Sequence, residues 1–265
     1  MRYGFCTGFA TDPLFKIDSS LEAAVSAWGY DFIEYPIMSI AALSDREFDA
    51  LADRVSGNSL GCDCAANIFP ASVRVIGDTV SYSGMRSYLD IAFRRAQRLG
   101  VKKIIFGSAG ARKLGDYEKN AAGRQFVECL RILDRYCSEY GMTVLIEAIR
   151  RGEADYINTL SEAADFARLV RSEGMENILL MADLFHMMSN GEDPDVLKDN
   201  IDIIRHIHIC EMNRELPAGS FSDYILAALN ILREAGYNES ISYESVCPPD
   251  IRSGIKALQL LKISL

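Results

Sequence analysis

The sequence is poor in histidine and tryptophan, with three histidines and one tryptophan among 265 residues. It has no long apolar run behind a basic segment, so neither a signal peptide nor a membrane-spanning helix is expected. It has no basic stripe either, and the net charge of -9 argues against a surface for nucleic acid. We therefore expect a cytoplasmic protein that binds neither membranes nor nucleic acids.

The cysteines form no recognisable metal or disulfide pattern. There are seven of them, an odd number, and no pair of CxxC motifs occurs. Scattered cysteines in a protein without an export signal are usually reduced thiols that pack as small hydrophobic side chains. We therefore expect neither a disulfide framework nor a cysteine-rich zinc site.

Short apolar segments alternate with amphipathic segments along the chain. Such uniformly apolar runs are typical of parallel strands that helices cover on both faces. Strands are predicted at 3–6, 32–34, 60–64, 103–106, 143–147, 178–183, 206–209 and 240–244. Helix signals lie between them; for example, the capping box from Thr159 to Glu162 starts a helix that should end at Gly174. Eight such units predict a single-domain (β/α)₈ TIM barrel over residues 1–265, with a doubly wound open sheet as the alternative.

Four consecutive predicted strands end in a side chain that can bind a metal: Glu147, Asp183, His208 and Glu244. Active sites of barrels lie at the carboxyl ends of the strands, so these side chains should meet at one mouth. Three carboxylates and one imidazole suit one divalent cation, with Mn²⁺ as our first expectation and Mg²⁺, Co²⁺ or Zn²⁺ as alternatives. His206 should share the face of His208 and lie behind the ligands.

The order of these residues resembles the xylose-isomerase-like sugar isomerase and epimerase superfamily, most closely its ketose 3-epimerase branch. The resemblance covers the whole chain. The matching pieces are Asn67-Ile68-Phe69-Pro70, Phe106-Gly107-Ser108, Glu147 with Arg151 and Glu153, Asn158-Thr159, Asp183-Leu184-Phe185-His186, His208 with Glu211 and Arg214, and Tyr243-Glu244. Each piece is weak alone, but their order and spacing over eight strands form a specific signal.

The resemblance implies a set of functional roles. The four strand-end residues correspond to the metal ligands, and two of them, Glu147 and Glu244, also correspond to the acid/base pair. The residues that correspond to substrate-binding positions are Glu153, His186, Arg214 and Asn67. The substrate would be a small sugar or sugar derivative, and the protein would be a homo-oligomer, a dimer or a tetramer.

The reaction implied is proton removal beside a carbonyl. A metal ion that polarises the carbonyl stabilises the developing enediolate, and two opposed glutamates can invert the carbon. Arg150 departs from the family pattern, which often has Asn there, and the loop after Arg214 has fewer glycines. Both changes touch the substrate side, so an aldose–ketose isomerase and a keto-inositol dehydratase stay open. Whether the sugar is phosphorylated stays open too.

Two other classes of protein share this kind of barrel. A nuclease of the endonuclease IV type would need about three zinc ions and many more histidines. A non-catalytic sugar-binding barrel could keep the metal without turnover, but the intact pair Glu147 and Glu244 argues against it. Arg112 lies near the predicted mouth, where we expect it to form a surface salt bridge.

Overall fold

Eight parallel strands close into a barrel in chain order, in a computed structural model that describes residues 1–7, 19–57, 60–245 and 251–265. The strands are β1 (Arg2–Cys6), β2 (Phe32–Pro36), β3 (Cys64–Ala66), β4 (Lys103–Phe106), β5 (Thr143–Ile146), β6 (Ile178–Asp183), β7 (Ile204–Ile209) and β8 (Ser240–Glu244). The predicted TIM barrel is therefore confirmed, and the open-sheet alternative is wrong. The strands predicted at 103–106, 178–183 and 240–244 have the predicted bounds.

Helices follow the strands on the outside of the barrel. Within the described residues they are α1 (Ser19–Ala27), α2 (Ile37–Ala42), α3 (Asp45–Gly57), α4 (Tyr82–Arg98), α5 (Lys119–Tyr140), α6 (Leu160–Ser172), α7 (Leu184–Asn190), α8 (Asp223–Glu234) and α9 (Ile251–Ser264). The predicted capping box starts α6, because the Thr159 hydroxyl accepts from the Glu162 amide and the Glu162 carboxylate accepts from the Thr159 amide. A 3₁₀ turn (Pro194–Leu197) follows Asp193. The short helices α2 and α7 were not predicted.

The third strand lies later than predicted, at Cys64–Ala66 rather than at 60–64. Gly61 makes only an isolated bridge to Phe32, whereas Cys64 and Ala65 pair with the start of β4. The pairing partner, rather than the apolar composition of the segment, decides where this strand begins.

Alternate residues of the strands face the interior of the barrel. Away from the carboxyl ends of the strands, the interior holds a buried apolar cluster: Phe32, Cys64, Ile105, Leu145 and Met181. A Cβ on Gly4 would lie 2.2 Å from the ring of Phe32, so the interior needs a glycine at that position. A much larger apolar cluster fills the space between strands and helices. Toward the carboxyl ends of the strands the interior positions become polar.

The other expectations from composition concern cysteines and membranes. The six described cysteines are buried and no disulfide joins them, and Cys247 lies outside the described residues. None of the helices in the described part of the chain has the length and apolarity needed to cross a membrane.

Candidate active site

The four predicted metal ligands meet inside the carboxyl end of the barrel. Glu147 follows β5, Asp183 ends β6, His208 lies on β7 and Glu244 ends β8; none is more than 5% exposed. Ligand atoms of Glu147, Asp183 and His208 all lie within 4.8 Å of one another. Glu244 Oε1 lies 3.7 Å from His208 Nδ1, at the edge of this group. The strand ends therefore bring the predicted side chains together.

Two of these side chains carry a buried atom that makes no hydrogen bond. Asp183 Oδ1 accepts from the amides of Phe185 (2.7 Å) and His186 (3.2 Å), and so caps α7, while its Oδ2 has no hydrogen-bond partner. His208 Nε2 lies 3.0 Å from Glu34 Oε1, while its Nδ1 has no hydrogen-bond partner. Buried polar atoms are rarely left in this state. A carboxylate oxygen and an imidazole nitrogen are suitable ligands for a divalent cation, so the residues present fit a metal ion.

Gly107, just after β4, makes room for the Glu147 carboxylate. A Cβ at this position would lie 2.0 Å from Glu147 Oε2 and 3.3 Å from Asn67 Oδ1. Asn67 is held in turn because its Oδ1 accepts from the Ser108 amide at 3.2 Å. Asn67, which was predicted to bind substrate, therefore lies beside the predicted metal ligand Glu147.

The buried carboxylates repel one another. Burial, together with Glu244 and Asp183, raises the pKa of Glu147 well above its usual value. Burial also raises the pKa of Glu244 to about 7, although His208 and Arg214 pull it in the other direction. Nearby positive charge reverses such shifts. A divalent cation among these carboxylates would therefore lower both pKa values.

His186 borders the ligand group from α7. Its Nε2 lies 3.6 Å from Asp183 Oδ2 and 3.9 Å from Glu147 Oε1. Its Nδ1 is buried and makes no hydrogen bond. Because α7 begins directly after Asp183, the helix fixes the position of His186 relative to the ligand.

Arg214 connects the remaining predicted site residues. Its Nη1 donates to Glu244 Oε2 at 2.7 Å, and its Nη2 lies 3.3 Å from Glu153 Oε1. Its guanidinium stacks 3.8 Å from the centre of the Phe185 ring, a favourable cation–π geometry. Arg150, the departure from the family pattern, pairs with Glu153 at 2.7 Å and covers the same ring. Glu153 therefore reaches the predicted ligand Glu244 only through Arg214, and its side chain is 30% exposed.

Backbone strain collects in the loops around this end of the barrel. The non-glycine residues with positive φ in the described chain are Asn67 (48°), Ser108 (44°), Ile157 (58°) and Arg214 (61°). This conformation is uncommon outside glycine and is a marked outlier for a β-branched residue such as Ile157. Such strain is often found where a side chain must be held for binding or catalysis.

Two buried charged residues were not identified from the sequence. Arg112 was expected at the surface; that expectation is wrong, because the side chain is fully buried and donates to the Glu147 carbonyl at 2.7 Å. Its long apolar stem favours burial once the guanidinium has an acceptor. Glu34 is also fully buried, between His206 and His208. A signal was present, since the second predicted strand also ends in a carboxylate.

Comparisons with known proteins agree with the fold. A sequence profile of the "Xylose isomerase-like TIM barrel" family matches residues 22–262. The chain is 30% identical over 224 residues to a D-psicose 3-epimerase of Enterocloster bolteae, covering 82% of this chain and 73% of that protein. It is 24% identical over 242 residues to a D-psicose 3-epimerase of Agrobacterium fabrum, covering 87% and 78%. In fold it resembles the D-allulose 3-epimerase from Methylomonas sp., with a TM-score of 0.83 and 19% identity over 100% of this chain and 97% of that one.

Proposed function

Because the chain belongs to the xylose isomerase-like TIM barrel family, we propose that it is a metal-dependent ketose 3-epimerase acting on a small sugar. Two relatives named D-psicose 3-epimerase support this substrate class and this carbon. The observation that carries the metal dependence is the pair of unpartnered buried atoms, Asp183 Oδ2 and His208 Nδ1, beside Glu147.

The proposed ligands are Glu147, Asp183, His208 and Glu244, and Mn²⁺ is the proposed metal. The bound ion would withdraw electrons from the substrate carbonyl and acidify the neighbouring C–H bond. Glu147 and Glu244 extend from β5 and β8, which two other strands separate in the closed barrel. One carboxylate can therefore remove the proton from one side of the carbon while the other returns a proton to the opposite side.

The substrate would lie against His186, Arg214 and Asn67. The unpartnered Nδ1 of His186 suits a substrate hydroxyl, since a buried imidazole nitrogen gains a partner when the sugar binds. Arg214 holds one oxygen of Glu244 and so orients this carboxylate toward the reacting carbon. Glu153 fixes Arg214 from the outer side.

Hydrogen exchange tests the proposal directly. A panel of free ketoses is incubated with the Mn²⁺-loaded protein in deuterated water, and the position of the label is read by NMR. Deuterium at C3 with formation of the C3 epimer is the expected result. Label at C1 or C2 would instead identify an aldose–ketose isomerase, and loss of a hydroxyl from an added keto-inositol would identify a dehydratase. No exchange in any sugar would refute the epimerase and favour a sugar-binding protein.

The acid/base role of Glu244 is tested by Glu244→Gln, which keeps the size of the side chain but cannot take up the proton. We expect no exchange in a protein whose circular dichroism matches that of the wild type. Glu173→Gln is the matched control, because Glu173 is an exposed partner of Arg131 on the outside of the barrel. Turnover retained in Glu244→Gln would contradict the role. Assembly into dimers or tetramers stays a prediction, which light scattering of the purified protein can test.

A further inference from the structure

A fully buried carboxylate lies behind the proposed ligand His208. Glu34, on β2, reaches across the interior to two histidines of β7. Its Oε1 lies 3.0 Å from His208 Nε2, and its Oε2 lies 3.2 Å from His206 Nε2. Since His206 and His208 are two residues apart on one strand, both rings face the interior, and one carboxylate can meet both.

Lys103 begins a series of contacts that leads through Ser240 and His206 to Glu34. It sets the direction of the hydrogen bonds in this series. Lys103 Nζ can only donate, and it lies 3.2 Å from Ser240 Oγ. Ser240 Oγ accepts there, so its proton is available for His206 Nδ1 at 2.7 Å. His206 then carries its proton on Nε2, where it donates to Glu34. Every donor in the series meets an acceptor.

The same reasoning fixes the proton of His208. An ionised carboxylate can only accept, so the nitrogen that faces Glu34 must be protonated. A neutral His208 then has its lone pair on Nδ1, the atom on the side of Glu244, 3.7 Å from Oε1, that makes no hydrogen bond. A partner that holds the second nitrogen of a ligand histidine orients the ring and selects its tautomer.

We propose that Glu34, itself oriented by Lys103, Ser240 and His206, is a positioning residue that fixes His208 as an Nδ1 metal ligand. This inference rests on the proposed function, because it presumes a cation beside His208.

A second metal site is the competing explanation for the buried Glu34 carboxylate. Ligand atoms of Cys6, Glu34 and His208 also lie within 4.8 Å of one another, so Glu34 could itself be a ligand of a second ion. Both of its oxygens already accept from an imidazole, which favours the positioning role. The two explanations differ in metal stoichiometry, one ion per chain against two.

The histidine tautomers can be tested without any Glu34 variant. With only three histidines in the chain, long-range ¹H–¹⁵N spectra of the Zn²⁺-loaded protein can be assigned with single His variants. We expect His208 to be protonated on Nε2 and bound through Nδ1, and His206 to be protonated on Nε2. A His208 bound through Nε2 would overturn the inference, whether or not any Glu34 variant folds.

Glu34→Gln tests the effect on binding. An amide has one accepting oxygen and one donating nitrogen, so it cannot turn an accepting oxygen toward each of the two histidines. We expect Mn²⁺ to bind 10- to 100-fold more weakly by calorimetric titration, as is typical when the partner of a ligand histidine is removed. Glu34→Asp, which keeps the charge, should recover part of this loss.

Glu22→Gln is the matched control, since Glu22 is also a buried carboxylate, 2% exposed, but it pairs with Arg54 outside the barrel. It should bind Mn²⁺ like the wild type. Wild-type affinity in folded Glu34→Gln would overturn the positioning role and leave the proposed function intact. Two ions per chain, one of them lost in Glu34→Gln, would overturn it in favour of the second site. A wild-type protein that binds no divalent metal would overturn both the role and the proposed function.

Discussion

Gly107→Ala should damage the metal site without damaging the fold. The added Cβ would lie 2.0 Å from Glu147 Oε2. Because carbon and oxygen atoms are not found closer than about 3.0 Å at such positions, the carboxylate must move by about 1 Å. The backbone at Gly107 does not need positive φ, so alanine itself is not strained there.

A shift of this size is large for a ligand and small for the protein core. Metal–ligand distances tolerate about 0.2 Å, and a displacement of about 1 Å in a reacting group can lower the rate about 100-fold. This corresponds to about 2.7 kcal/mol of transition-state stabilisation. The atom displaced is the end of a flexible side chain, so the melting temperature should change little.

The assay compares Mn²⁺ affinity, the rate of deuterium exchange and the melting temperature of Gly107→Ala with those of the wild type. Gly57→Ala, at the end of α3, is the control, since a Cβ there meets nothing within 4 Å. We expect Gly107→Ala to lose metal affinity and about 100-fold in kcat/KM, and Gly57→Ala to lose neither. Unchanged affinity and rate in Gly107→Ala would refute the assignment of Glu147 as a ligand.

Three further predictions concern the same group of side chains. Asp183→Asn keeps an oxygen to cap α7 but puts an amide nitrogen in the place of Oδ2, so calorimetry should show at least a tenfold loss of Mn²⁺ affinity with unchanged helix content. In metal-free protein, Glu147→Gln should melt at a higher temperature than the wild type at pH 8 and at an equal temperature near pH 5. The reason is that folded Glu147, with its raised pKa, keeps a proton that the unfolded chain releases, so wild-type stability falls as pH rises from about 5. Addition of Mn²⁺ at about 100 times its Kd should stabilise the wild type by about 2.7 kcal/mol, or roughly 5–11 °C in a calorimetric scan, and EDTA should reverse this.

The sequence predicted the barrel and the meeting of four strand-end side chains because both depend on local patterns. Short apolar runs identify buried strands, and the residue that ends such a run lies at the mouth whichever way the helices pack. Glu147, Asp183, His208 and Glu244 could therefore be expected to meet there without knowing any contact between strands. The position of β3 could not, since Cys64 and Ala65 are placed by their pairing with β4.

Glu34 and Arg112 were missed because their partners are distant in sequence. Glu34 contacts histidines 172 and 174 residues further along the chain, and no local pattern carries that information. A count of buried hydrogen-bond donors and acceptors could have identified it. Two buried histidines on one strand face require an acceptor, and a carboxylate at the end of another strand is a suitable one. Arg112 gave no such signal, because an arginine in a loop is usually exposed.

The hydrogen bonds in the polar half of the barrel interior run in one direction, from Lys103 toward Glu34. Apolar side chains usually fill such interiors, and buried ionisable groups cost stability unless their hydrogen bonds are made. From Lys103 at the start of β4 to Glu34, each polar side chain in the series meets a partner. Two of the buried side-chain atoms without a hydrogen bond lie where the series ends, on His208 and across from it on Asp183, beside Glu147. A divalent cation between His208 Nδ1 and Asp183 Oδ2 would give both atoms a partner, which is why the proposed metal is placed at the end of this series.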